Sequence, residues 1–119
     1  MGEYIETVLD QGFFALSHRT RRRMLGQLAG ATETRVTDLA RRHHLSLNTV
    51  SKHVRVLEHA RLVRRRVVGR EHLIRIDPKR LAEIEQWLVH HRRFWTVQLD
   101  ALAAFFEAKH TYKKGTDDE

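Results

Sequence analysis

The chain has no cysteine in 119 residues. Disulfide staples and thiolate metal sites are therefore excluded, and the fold must rest on its own core. Proline occurs once and glycine six times, so few positions force a break, and no linker-like stretch lies within residues 1–108. No apolar run approaches the roughly 20 residues that span a bilayer. The first ten residues, Met1 to Asp10, carry three acids and no base, unlike a secretory signal. A cytoplasmic location with no membrane partner is expected. The length suits one modest domain.

Acid is scarce where base is abundant. Residues 17–76 hold 15 Lys or Arg against 4 acids, while the rest of the chain holds 7 against 11. The net charge of +7 is therefore carried by one segment. A basic segment between acidic ends implies a surface that meets a polyanion.

Hydrophobic spacing divides the chain into elements. Ile5, Val8, Leu9 and Phe13 predict a first helix over 3–15. Ser17 is a candidate N-cap for a second helix, from His18 to Leu28, with Met24, Leu25 and Leu28 inward and Gly30 as its stop. Thr37 is expected to cap a short third helix whose Leu39 and Ala40 face the core. Ser46 caps a fourth, Leu47 to His59, with Val50, Val54 and Leu57 on one face. The period then changes. Val63–Val68 and His72–Ile76, rich in β-branched residues and separated by Gly69-Arg70, read as a β-hairpin. Asp77-Pro78 opens a long helix, an N-cap followed by proline at the first position. Leu81, Ile84, Leu88, His91, Trp95, Leu99, Leu102 and Phe106 step along it by threes and fours to about Ala108. The polar stretch 109–119 is expected to be a disordered tail. The fold class is mainly α with a small β-hairpin, a winged helix-turn-helix in the order α-α-α-α-β-β-α.

The third and fourth helices, joined only by Arg42 to Ser46, have the layout of a helix-turn-helix. The fourth has an apolar back and a polar front of Asn48, Thr49, Ser51, Lys52 and Arg55, with His53 alongside and Ser46 at its start. No acid interrupts that front before Glu58. Asn reads adenine, Ser and Thr reach bases or phosphates, and Lys and Arg neutralise phosphates. A merely solvated helix face would mix Glu with Lys. Arg64, Arg66 and Arg70 on the hairpin, with Arg41 and Arg42 nearby, are the candidate phosphate contacts. Arginines there also protect a sheet edge from pairing, and the two roles are compatible.

Ala15-Leu16-Ser17-His18-Arg19-Thr20-Arg21 resembles the A-L-x-x-x-x-R run of ArsR-type winged-helix repressors. Leu45 to Leu57 is similar to that family's L-S-x-x-T-V-S-x-H-L-x-x-L, and the hairpin from Gly69-Arg70 to Asp77-Pro78 matches as well. The resemblance spans about residues 5–106. It implies a homodimeric repressor on a palindromic operator in its promoter, with first and last helices packed across a two-fold axis. Ile5, Val8, Leu9, Leu88, His91, Trp95, Leu99, Leu102 and Phe106 are the expected interface. Arg61 departs from the family, where many relatives have glycine, and Asn48 stands where many have proline.

Nine histidines raise the question of a metal-responsive repressor. The cysteine pair that some relatives use near the third helix is absent. On the last helix, His90 and His91 point about 100° apart, and Glu83 and Asp100 lack the spacing of a ligand set. No metal and no cofactor are expected. A small metal-dependent nuclease would need clustered carboxylates, and a sheet-type RNA binder would show aromatics on its strands; neither pattern is present. Zinc, nickel or cadmium should therefore change DNA affinity by less than about tenfold, or ~1.4 kcal/mol of coupling. Gel shifts with and without each metal check this, and tight zinc binding that releases DNA would contradict it.

Overall fold

The computed structural model describes residues 2–30 and 33–117, with side chains through 108. The elements are α1 (Gly2–Leu16), α2 (Arg19–Ala29), β1 (Thr34–Arg35), α3 (Val36–Arg42), α4 (Leu47–His59), β2 (Val63–Val68), β3 (Glu71–Ile76) and α5 (Pro78–Asp117). The order matches expectation with one addition. The hairpin is part of a three-stranded antiparallel sheet, β1-β3-β2, in which Thr34 pairs with Ile74 and Arg35 with Leu73. A strand of two residues offers no alternation to read, so its pairing with β3 was not visible in the sequence.

The helix starts differ in two places. Ser17 does not cap α2; its hydroxyl donates to the Phe14 carbonyl at 2.6 Å and closes α1. His18 is the cap, its Nδ1 accepting from the Thr20 N–H at 3.0 Å. Thr37 does not cap α3 either, because β1 runs straight into that helix and Arg35 occupies the cap position without a side-chain bond. Ser46 caps α4 as expected, accepting from the Thr49 N–H.

Val8, Met24, Leu28, Leu39, Val50, Val54, Leu57, Leu62 and Ile74 form the fully buried centre of the core. Burying each such side chain contributes roughly 1.5–3 kcal/mol, so the three from α4 fix that helix strongly. Both ends of the helix-turn-helix close alike. At the end of α3, the Leu45 N–H bonds to the Ala40 carbonyl and the His44 N–H to that of Arg41, with His44 at φ 53°. At the end of α4, the Leu62 N–H bonds to Leu57 and the Arg61 N–H to Glu58, with Arg61 at φ 58°. These are Schellman closures, usually served by glycine. Their left-handed residues here are histidine and arginine, each at a cost of about 1 kcal/mol. The departure at Arg61 thus changes the residue and keeps the helix end.

The first compact unit ends at Ile84, which is buried in this core. Gly12 allows that packing, since a Cβ there would come within 2.6 Å of Ile84 Cδ1. From Glu85 onward the chain forms a second unit, the remainder of α5. The sequence placed the helix end near Ala108; the backbone stays helical to Asp117. No proline interrupts 109–117. The side chains of 109–119, His110 included, lie outside the described residues.

Asp77 begins α5 and ties it to the sheet. Its carboxylate accepts from the Lys79 N–H at 3.1 Å and from Arg64 Nε at 2.9 Å. Burial pushes its pKa up, but the bonds from Arg64 and Lys79 and the charges of Arg64 and Arg80 outweigh it and leave it lowered. A lowered folded value means stability that is present above the ordinary carboxylate pKa and lost as pH falls through the folded value. Asp77→Ala should cost about 1–2 kcal/mol, mostly the lost cap. Urea melts at pH 7 check this, and Asp77→Asn should flatten the acid limb of stability below about pH 4.

Candidate nucleic-acid interface

The exposed front of α4 is a stripe of Asn48, Lys52 and Arg55, spaced by four and three residues, with the buried Val50, Val54 and Leu57 behind it. None of the three forms a hydrogen bond or ion pair among the described residues. Ser46 and Thr49 serve the helix start first, the Ser46 hydroxyl donating to Thr49 Oγ1 at 2.9 Å. Arg55 borders a hollow with Asp10, Gln11, Phe14, Val56 and His59 between α1 and α4.

His53 has a different role from the one expected. It is half-buried, and its Nδ1 accepts from Arg21 Nη1 at 3.2 Å. Its ring centre lies 4.7 Å from that of His18. Burial first, then His18 and Arg21, lowers its pKa. The ring is thus neutral at pH 7, with Nδ1 free to accept. Helical geometry explains the difference, since position 53 turns toward α2 while 48, 52 and 55 turn outward.

Arg21 was missed as a structural residue. It is 7% exposed and lies at i, i+3, i+4 and i+7 with Met24, Leu25 and Leu28, all buried. That spacing was the available signal. Its Nε donates to the Ala15 carbonyl at 2.7 Å and its Nη2 to that of Phe14 at 3.2 Å. Arg22 likewise donates to Leu16 at 2.7 Å. The adjacent arginines satisfy carbonyls that the end of α1 leaves open.

The cations around the turn and the hairpin differ in how they are held. Arg41 stands 3.6 Å from Asp38, with a side chain 81% exposed. Arg42 meets the amide of Gln27, whose oxygen accepts from its Nε and Nη1 at 3.2 and 3.0 Å while the nitrogen donates to His43 Nε2. On β2, residues alternate between faces. Val63 and Arg65 turn to the helices, and Arg64 and Arg66 turn away. Arg64 is bonded to Asp77. Arg65 grips Glu58 of α4 with two bonds, at 2.6 and 3.2 Å, and reaches His72 Nδ1 at 2.9 Å. Arg66 is held by Glu33, again through two bonds, at 2.8 and 3.0 Å. Arg70, at the tip, forms no such pair among the described residues. It faces a cleft of about 390 Å³ that also takes in Arg35, Thr37, Ser51 and His72, so Ser51 looks toward the hairpin tip. As members of the site, Glu33, Glu58 and the cleft residues Arg35, Thr37 and His72 were missed by the sequence reading, which gave Thr37 only a capping role and Glu58 only the end of an acid-free front.

The expected interface residues separate into two groups. Val8 and Leu9 are only 2% and 5% exposed and belong to this chain's own interior, so they offer no surface to a partner. Ile5 is half-buried against the core. In the second unit, Leu88, Trp95, Leu99, Leu102 and Phe106 are all 47–61% exposed, as are Phe94, Val97 and Phe105 at 61–65%. His91 is half-buried, its ring stacked on Trp87 at 4.1 Å and its Nδ1–H donating to the Trp87 carbonyl. His90 meets it edge-on at 5.2 Å. No group of three or more His, Asp or Glu suited to a metal ion occurs among the described residues. No helix is long and apolar enough to cross a membrane.

The family profile described as "Helix-turn-helix domain" matches residues 16–66, from the end of α1 into β2. The chain is 35% identical over 100 residues to the HTH-type transcriptional regulator Rv2034 of Mycobacterium tuberculosis, covering 84% of this chain and 90% of that one. An ArsR-like transcriptional regulator from Rhodococcus sp. RHA1 superimposes with a TM-score of 0.69 at 30% identity, covering 86% of this chain and 93% of the other. The homodimeric winged helix-turn-helix DNA-binding domain of a possible ArsR-family regulator from Mycobacterium bovis, 22% identical, shares the fold at a TM-score of 0.62 over 76% of this chain and 83% of its own. With its helix-turn-helix, its basic wing and a relative matched over nearly the full length of both chains, this protein belongs to the ArsR-type winged helix-turn-helix family of DNA-binding transcription regulators.

Proposed function

We propose that the chain acts in the cytoplasm as a homodimeric repressor that binds a palindromic operator in its own promoter. The observation that carries this reading is the front of α4: among the described residues, Asn48, Lys52 and Arg55 stand unpaired on a helix whose back is wholly buried. A rigid helix with free donors and no acid is what a major-groove reader requires. Asn48 and Lys52 read bases, with Ser51 and Thr49 at the edge. Arg70 at the wing tip and Arg41 beside the turn grip phosphates.

Replacing Asn48 or Lys52 with alanine should cost about 1–3 kcal/mol on the operator and little on scrambled duplex. Arg70→Ala should weaken both alike and lower the salt slope by about 0.9. Binding-site selection on random duplex, followed by salt titrations of each variant, checks both. If the Arg70 variant loses specificity while the α4 variants lose only general affinity, the roles are reversed.

Dimerisation is supported by the exposed apolar side chains of α5. Leu88, Trp95, Leu99, Leu102 and Phe106 recur at spacings of seven, four, three and four, a stripe that a lone helix would leave in water. The homodimer described for the Mycobacterium bovis domain agrees with it. A two-fold dimer presents two reading helices to successive major grooves, which is why a palindrome is the matching operator. Sedimentation at micromolar concentration should give about 28 kDa, twice the 14.1 kDa of one chain. A monomer at every concentration would rule the dimer out.

A further inference from the structure

Resting on the DNA-binding reading above, we infer that Glu33 is an intramolecular counter-anion that takes wing Arg66 out of the phosphate grip and so restrains sequence-independent binding. The pair is two-pronged: Nε and Nη2 of Arg66 donate to the two carboxylate oxygens at 3.0 and 2.8 Å. The fork of a guanidinium fits a carboxylate in the way it fits a phosphate, so one anion occupies the donors the other would need. The Glu33 side chain is 23% exposed and that of Arg66 60%, so the pair stands at the surface. The bond from Arg66 leads the influences on Glu33 and leaves its pKa lowered. Glu33 therefore stays ionised throughout the neutral range, and the brake does not depend on pH there.

Exchange explains why DNA gains nothing from this arginine. Moving Arg66 to a phosphate leaves Glu33 as a bare negative charge beside a polyanion, with Arg75 the remaining cation that acts on it. The attraction gained by one group is offset by repulsion of the other. Salt dependence of DNA binding counts phosphates neutralised, at about 0.9 per contact. A cation whose fork is fully engaged by a carboxylate within the protein adds none, unlike Arg41, whose single contact with Asp38 is 3.6 Å long. Arg70, two residues beyond β2, has no such acid among the described residues and keeps its full effect.

The test uses the full-length protein and a mixed-sequence duplex of about 30 base pairs, roughly three helical turns, with affinity measured between 50 and 200 mM salt. Arg70→Ala should lower the salt slope by about 0.9, whereas Arg66→Ala removes no phosphate contact and weakens binding only through the bare Glu33 it leaves. Glu33→Gln should steepen it by about 0.9 and tighten binding, with a gain about 3.5-fold larger at 50 mM than at 200 mM. The double variant Glu33→Gln/Arg66→Ala should return to the wild-type slope, which shows that the effect runs through Arg66. Thermal melts of each variant confirm folding. A slope unchanged by Glu33→Gln, or a double variant that keeps the steeper slope, overturns the inference. Loss of effect for Arg70→Ala and Lys52→Ala together would instead count against the DNA-binding surface itself.

Discussion

Arg21 is the interaction on which the placement of α4 depends. Its buried guanidinium joins three helices: it donates to the last carbonyls of α1, it projects from α2, and it meets His53 of α4. Its charge also lies 5.4 Å from the Phe14 ring centre. A buried charge is costly unless every donor is used, and hydrogen bonds to a charged group contribute about 1.5–3 kcal/mol each. The neutral state of His53 belongs to the same arrangement, since a protonated ring could not accept from arginine. The His53 ring is thus turned to the protein interior, against Arg21 and His18.

The wing is tied to that helix by a second charged link on the other side. Arg65 reaches from β2 to Glu58 near the end of α4, and His72 of β3 completes the group. Strand alternation sorts three consecutive arginines into two purposes, with Arg65 facing the helices and Arg64 and Arg66 facing away. Reading helix and wing tip consequently share one frame, and Ser51 and Arg70 line the same cleft. On the proposed reading, base contacts and a phosphate contact would thereby be held in fixed relation, which is the geometric condition for register on a duplex.

Most of the architecture was legible because it rests on periodicity. The apolar back of α4, the Ser46 cap, the change of period at Val63 and the Asp77-Pro78 start are local signals, and each appears where the residues place it. Starts at Ser17 and Thr37 were misplaced because several hydroxyl and imidazole groups compete there, and which one caps depends on how the preceding element ends. Burial of Val8 and Leu9 could not be separated from a partner surface by spacing alone, since an apolar stripe does not say what covers it. The candidate site was legible as composition and illegible as pairing. Nothing in the run Arg64-Arg65-Arg66 indicates that Asp77, Glu58 and Glu33 wait for its members, because those acids lie 13, 7 and 33 residues away.

That pairing explains how so basic a segment can sit on a regulator that must leave most DNA alone. In the order β1-β3-β2, strand β2 is a sheet edge, and an edge needs charge to discourage pairing with other strands. Arginine on the edge would ordinarily add to the pull on any duplex. With each of the three matched to an acid, the edge keeps its bulky charged side chains, while their net contribution to the field is small. Among the described residues Lys52 and Arg55 on α4 and Arg70 at the wing tip have no acid partner, and neither do Arg19, Arg23, Arg61 and Arg75 elsewhere in the basic segment. Non-specific affinity grows with every free cation, whereas discrimination grows only with those that reach a base or fix the register. On the proposed reading, internal neutralisation would raise the share of binding that depends on sequence without removing a single arginine from the fold.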